Sequence, residues 1–252
     1  MWNSRFSCRR LVPMSYKTHP FWRVEKLLSP DKNSKSRPHP NVAVLSHHIP
    51  KTAGSSLRVA FEQALGARSV YGVYANTGAS AMSKGDEIWL PSKARVLHGH
   101  FKPHANHIHT FPNAIKAVWV RDPLERIWSL VGHLLALKEK HPHYILLKEK
   151  LPESGLKSQE SIVKELLLNN TIEAFTNTYS RFFNSVSIDE FGFVGSKHKY
   201  EEHLQQLSDL TGIQLKTLQV NRRTSQTYQL PSSIKQLESH LHHEYEIVGD
   251  FL

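Results

Sequence analysis

Residues able to do chemistry gather in three short stretches. The first, His48-Ile49-Pro50-Lys51-Thr52-Ala53-Gly54-Ser55-Ser56, combines one amine, one glycine and three hydroxyls. Ahead of it, Val42-Ala43-Val44-Leu45 reads as a short strand. Behind it, Leu57, Ala60, Phe61, Ala64 and Leu65 recur at the spacing of one helix face. A loop that opens a helix offers unpaired backbone N–H groups and partial positive charge, which suits a phosphate. The pattern is not G-x-x-x-x-G-K-[ST], because Lys51 stands three residues before the glycine instead of after it. On composition alone an ordinary βα turn would look the same.

The second stretch is His98-Gly99-His100, closing the run Ala94 to Phe101 that reads as a strand. Such residues are either solvated at a strand end or project into a site there, since ligands of open α/β sheets bind at the strands' C-terminal ends. His104, His107 and His109 follow in a loop, but no Cys or carboxylate joins them, so no metal is expected. The third stretch follows the apolar run Ala114–Val120, a buried strand by composition, and reads Arg121-Asp122-Pro123-Leu124-Glu125-Arg126. Asp122 as N-cap, Pro123 at N1 and Glu125 at N3 form a capping-box pattern. Leu124, Ile127, Trp128, Val131 and Leu135 then make one apolar helical stripe. Arg121 falls at the strand end and Ser129 two turns into the helix. By residue type alone Arg121 pairs with Asp122 or Glu125.

Pro50-Lys51-Thr52-Ala53-Gly54-Ser55-Ser56 resembles the 5′-phosphosulfate loop of carbohydrate sulfotransferases of the heparan sulfate 2-O-sulfotransferase type. Val120 to Ser129 resembles the 3′-phosphate motif of the same family, in which an Arg and a Ser eight residues later hold that phosphate. Between the two motifs His98 and His100 occupy the place of the family's catalytic His pair. Phe193-Val194-Gly195-Ser196 resembles a Val-Gly segment before a late helix, and Asn221-Arg222-Arg223-Thr224-Ser225 the basic stretch that closes over the nucleotide. The resemblance implies sulfuryl transfer from 3′-phosphoadenosine-5′-phosphosulfate (PAPS) to a hydroxyl acceptor, a glycan in this family, leaving adenosine 3′,5′-bisphosphate (PAP). It implies Lys51, Thr52, Ala53, Gly54, Ser55, Ser56, Arg121, Ser129, Arg223 and Thr224 as cofactor contacts. His100 is then the general base, with His98 as its orienting partner or substitute, and no metal is required. An imidazole titrating near neutrality suits a base, and Lys51 suits the charge that grows on the leaving phosphate.

The elements that must position these groups follow from pattern. The 252 residues, 39% hydrophobic, fit a globular α/β domain, residues 41–252, behind a basic, proline-dotted arm, residues 1–40, expected to hold little regular structure. The expected architecture is a central, mainly parallel sheet flanked by helices in three layers, P-loop-like in its first βα unit. Ser69–Tyr74 reads as a further strand and Asn76–Lys84 as a loop. Ser158 caps a helix bearing Ile162, Val163, Leu166 and Leu167, and another helix carries Ile172 through Phe183. Tyr200 to Leu210 is a helix stopped by Gly212, Ile213 to Val220 a strand, and Ser233 with Gln236 boxes the last helix.

The net charge of +10, with 17 histidines besides, favours polyanionic partners. The single cysteine, Cys8, permits no intrachain disulfide. No apolar run approaches the ~20 residues of a membrane span, and no signal-peptide core follows the N-terminal arginines, so a soluble, cytoplasmic protein is expected. The absence of an anchor and of a cysteine pair departs from the Golgi enzymes of the family. Two other readings remain: a non-enzymatic binder of polyanions, glycan or nucleic acid, and a nucleotide kinase-like phosphate transferase. The first leaves two ordered strand–turn–helix motifs unexplained, and the second lacks a Walker A glycine pattern and an acidic strand end for Mg²⁺.

Overall fold

The computed structural model describes residues 20–29, 38–217 and 230–252. In chain order the elements are helix α1 (Pro20–Leu28), strand β1 (Val44–His47), α2 (Gly54–Leu65), β2 (Val70–Val73), α3 (Ala79–Met82), β3 (Val96–Gly99), α4 (His107–Thr110) and β4 (Ile115–Val120). There follow α5 (Pro123–Leu137), α6 (Pro142–Lys150), α7 (Gln159–Asn169), α8 (Glu173–Thr176), α9 (Thr178–Phe182), β5 (Phe193–Ser196), α10 (Tyr200–Thr211), α11 (Ser232–Lys235) and α12 (His242–Val248).

The five strands form one sheet in the order β2-β3-β1-β4-β5, and every pairing is parallel. A parallel sheet is covered on both faces, which is why its strands read as nearly continuous apolar runs. On one face Val44, Val70, Val96, Ala117 and Trp119 pack against Leu57 and Phe61 of α2 and Leu204 and Leu207 of α10. On the other, Leu45, Tyr71 and Leu97 meet Trp22, Met82 and Phe101. Val118 and Val120 meet Tyr179, Phe182 and Val248 on that side. A third mass of apolar residues joins α5 to α6 and α7 beyond the sheet's end. Among the described residues no helix is long and apolar enough to cross a membrane.

The expected arm is corrected at α1. Trp22 is buried edge-to-face on Tyr71, with ring centroids 4.9 Å apart, and that apolar contact holds the segment helical against the sheet. The loop expected over Asn76–Lys84 contains α3, because Gly78 turns at φ 103° and lets Ala79 and Met82 bury. The single helix expected over Ile172–Phe183 breaks at Asn177 into α8 and α9. There the buried Glu244 carboxylate accepts from the N–H groups of Tyr179 (2.7 Å) and Ser180 (2.8 Å), serving as a cap from a distant helix. No strand forms over residues 213–217. The Ser208 hydroxyl donates to the Ile213 carbonyl and accepts from the Leu215 N–H, taking groups that a strand neighbour would have used. Ser233 makes no capping box; Pro231 is the N-cap of α11, and the Ser233 hydroxyl donates to Glu160.

Two imidazoles lie inside the apolar layer on the face away from α2. His47 and His107 are each 2% exposed, with rings 6.0 Å apart. His47 Nδ1 donates to the Phe101 carbonyl (3.0 Å) and His107 Nε2 to that of Met82 (2.9 Å). Burial pushes their pKa values down to about 3 and about 4, partly offset by those hydrogen bonds. Below the ordinary histidine value of 6.5 the unfolded chain therefore binds a proton at each of these two rings that the folded chain refuses. Stability should fall as pH drops from about 6.5 towards 4, by up to about 1.4 kcal/mol per pH unit for each histidine. Urea unfolding at about pH 7 and about pH 5 measures this, and His107→Gln, which keeps a donor for Met82, should flatten the slope. A stability unchanged across that window would show that neither ring is sealed.

Candidate active site

The order of strands decides what meets what. From β1 the chain leaves to one side, towards β2, and from β4 it leaves to the other, towards β5. Neighbouring strands whose connections diverge open a crevice outside their C-terminal ends, where open α/β sheets bind ligands. β1 pairs with β4 in the register Ser46↔Ala117, His47↔Val118, and with β3 in the register Ser46↔His98, His47↔Gly99. The loop after β1, the loop after β4 and the end of β3 therefore share one edge. Lys51, Arg121 and His100 stand in those three places.

The loop from β1 to α2 has unusual backbone. Lys51 and Ala53 are left-handed, at φ 75° and φ 80°, whereas Thr52 and Gly54 are not. Left-handed conformations are uncommon for residues with a Cβ and are held only where the surroundings over-determine them. Alternating handedness turns successive N–H groups inward, an anion-binding nest. The Thr52 hydroxyl donates to the Ile49 carbonyl (2.8 Å), fixing the turn from inside. Ala53 is the N-cap of α2 and supplies no side-chain cap to the N–H groups that open the helix. Ser55 is exposed, while Lys51 and Ser56 are half-buried beside it.

Gly54 is required by a neighbour. A Cβ there would lie 2.0 Å from the ring of His48, a residue 6% exposed. That ring stacks on two others, with centroids 5.1 Å from His98 and 4.5 Å from His100. His98 is sealed, and its Nδ1 lies 2.9 Å from the Ser46 hydroxyl. His100 is exposed, with the edge of Tyr74 against it at 5.2 Å. His100 Nδ1 donates to the His48 carbonyl (2.8 Å), which leaves Nε2 with the lone pair. All three pKa values lie below the ordinary histidine range. Desolvation is the main cause; neighbouring imidazoles and Arg58 add to it at His48 and His98, and the backbone hydrogen bond opposes it at His100. These rings are neutral bases at neutral pH, and only His100 stands where an acceptor can reach it.

At the end of β4 the local prediction holds in part. Asp122 caps α5, accepting from the Glu125 N–H (2.8 Å), and its second oxygen accepts from the Tyr245 hydroxyl (2.8 Å). The Glu125 side chain does not close a capping box. It pairs instead with the Arg121 guanidinium, at 3.0 Å to Nε and 2.9 Å to the nearer terminal nitrogen. The Arg121 backbone is clamped by Tyr179, whose hydroxyl accepts from its N–H (2.9 Å) and donates to its carbonyl (2.6 Å). Arg126 is buried, donates to the Phe175 carbonyl and lies over the Tyr179 ring, so its charge serves the fold. Ser129 is half-buried one turn beyond Glu125, on the same side of α5.

Sequence reasoning missed three residues at this edge. His48 was visible only as the loop's first letter; its ring stack depends on β3 lying beside β1. Lys197 and His198 follow β5, and the Lys197 N–H donates to the Val120 carbonyl (2.9 Å), which places it beside Arg121. His198 Nε2 lies 3.5 Å from Glu125. Arg223 and Thr224 lie outside the described residues. His107 is buried on the Met82 carbonyl, and among the described residues no group of three His, Cys, Asp or Glu could hold a metal ion.

No protein-family model matches this chain, and no curated protein does. Among solved structures it is similar to a sulfotransferase from Alicyclobacillus acidocaldarius, with a TM-score of 0.43 and 12% identity over 86% of this chain and 96% of that one. It is also similar to the mouse sulfotransferase SULT7A1 complexed with PAP, with a TM-score of 0.41 and 11% identity over 86% of this chain and 68% of that one. At such distances the site's own residues have to carry the functional reading.

The tight contact between Gly54 and His48 gives a direct check. Gly54→Ala should destabilise the protein by about 1–3 kcal/mol through overpacking. Adding His48→Ala should restore part of that loss, so the double variant is more stable than the sum of the singles. Urea unfolding of the four proteins measures the coupling; simple additivity would mean that the ring does not rest on Gly54.

Proposed function

We propose that the protein is a sulfotransferase that moves the sulfuryl group of PAPS to a hydroxyl acceptor, a carbohydrate by the resemblance of its motifs, with His100 as general base. The observation that carries this reading is the convergence of three parts at one crevice. An anion-binding nest with Lys51, an arginine at the neighbouring strand end and a neutral histidine at the next share the C-terminal edge of β3, β1 and β4. The residues fit the nucleotide. The loop from Lys51 to Ser56 offers N–H groups, an amine and hydroxyls to a 5′-phosphosulfate, and Arg121 with Ser129 offers donors to a 3′-phosphate.

Bound there, PAPS would supply an electrophilic sulfuryl group on a phosphate leaving group, and transfer of this kind depends mostly on positioning and charge stabilisation. Lys51 and the N–H groups opening α2 would take up negative charge as the phosphate leaves. His100 Nε2 would accept the proton of the acceptor hydroxyl, its tautomer held by the His48 carbonyl. Lys51 and Lys197 add positive charge to the crevice for an anionic nucleotide. The two motifs, each a strand, loop and helix, speak against a polyanion binder whose affinity would come from scattered surface charge.

Calorimetric titration with PAP, beside AMP and ATP, tests the cofactor site. PAP should bind selectively, and Lys51→Ala and Arg121→Gln should each weaken it by about tenfold or more. Equal binding of all three nucleotides would overturn the reading.

His100→Ala should lower kcat by about 10²–10⁴-fold in a PAPS-dependent transfer assay while PAP still binds. Because desolvation holds the His100 pKa below 6.5, kcat/KM should be flat above about pH 6.5 and fall on the acid side. Full activity in His100→Ala would remove it as the base.

A further inference from the structure

A 3′-phosphate held by Arg121 alone would meet a neutralised partner. The Glu125 carboxylate lies 2.9 Å from the guanidinium, so the two side chains together present no net charge. A phosphomonoester carries about −1.5 to −2 near neutral pH and gains most from donors that still have positive charge to offer. The structure places two further basic side chains at the same corner, one strand further along the sheet. Lys197 leaves β5 directly beside Arg121, its N–H on the Val120 carbonyl at 2.9 Å, and is half-buried. His198 comes next, with Nε2 3.5 Å from Glu125 Oε2, the same oxygen that Arg121 contacts, and 45% of its side chain exposed.

Resting on the sulfotransferase reading, we propose that Lys197 and His198 are further ligands of the nucleotide's 3′-phosphate, completing a pocket of three basic side chains around Glu125. In this arrangement one oxygen of Glu125 faces both Arg121 and His198 and holds them together, while Lys197 supplies the surplus charge that a dianion requires. The Lys197 amine is already held below its ordinary pKa by desolvation and by the Arg121 charge, as befits a cation placed against another cation. An arriving phosphate relieves that repulsion. The pocket therefore selects a nucleotide carrying a phosphomonoester on its ribose over the same nucleotide without it.

The test compares PAP and AMP, which differ in the 3′-phosphate, by calorimetry on the full chain. Lys197→Ala should weaken PAP by about tenfold and His198→Ala by several-fold, while AMP affinity stays within about twofold. Lys199→Ala is the control, since its amine donates to the Leu252 carbonyl (3.0 Å) and it should leave the PAP-to-AMP ratio unchanged. If wild type prefers PAP and both variants keep that preference, the assignment of Lys197 and His198 fails and the sulfotransferase reading stands. An equal loss for AMP in Lys197→Ala, or a like loss in Lys199→Ala, would reduce the effect to general electrostatics and overturn the assignment. A wild type without preference for PAP overturns both.

Discussion

Everything at the candidate site depends on β1 hydrogen-bonding to β3 on one side and β4 on the other. Parallel strands about 4.8 Å apart deliver whatever follows them to a common edge. β1 delivers the nest, β3 a histidine, and β4 an arginine. The connections from β1 and β4 leave to opposite sides, and such a switch point is where open α/β sheets bind ligands. The sheet itself is small, with strands of four to six residues, so its stability rests on the helices that cover both faces.

Electrostatics at this edge are divided by burial. Three stacked imidazoles beneath the loop are kept neutral by desolvation, which lets them pack against one another in a chain of net charge +10. Charged groups stand instead at the ends of β4 and β5, where Glu125 offsets Arg121. A buried guanidinium without such a partner would cost several kcal/mol, which is reason enough for the pair in the absence of any ligand. Tyr179 and Glu244 then lock the corner from α9 and α12. That latch ties the last helix to the site, a link across 58 and 65 residues of sequence.

Local signals were legible in the sequence and held up. α2 starts where the stripe Leu57–Leu65 predicted, Asp122 caps α5 with Pro123 behind it, Ser158 caps α7, and Gly212 ends α10 at φ 67°. Each of these is decided within a few residues, by periodicity, a cap or a left-handed turn. The failures share the opposite character. Trp22 makes a helix of an expected arm by packing on Tyr71, Glu244 recaps a broken helix from far away, and Ser208 diverts a would-be strand. β5 was too short and too mixed to announce itself.

The same division runs through the site. By itself the sequence determined which chemistry was on hand: a helix-opening loop with Lys51, an arginine at a strand end, and a His-Gly-His at another. Those are properties of residue type and short spacing. The Arg121–Glu125 pair, an i,i+4 contact, was also legible there. Only the tertiary structure decided that His98 is sealed while His100 is open, and that the ring of His48 rests on Gly54. It alone brought Lys197 and His198 to that corner. Burial and the pairing of distant strands set these outcomes, and neither is a property of any stretch of the chain read alone.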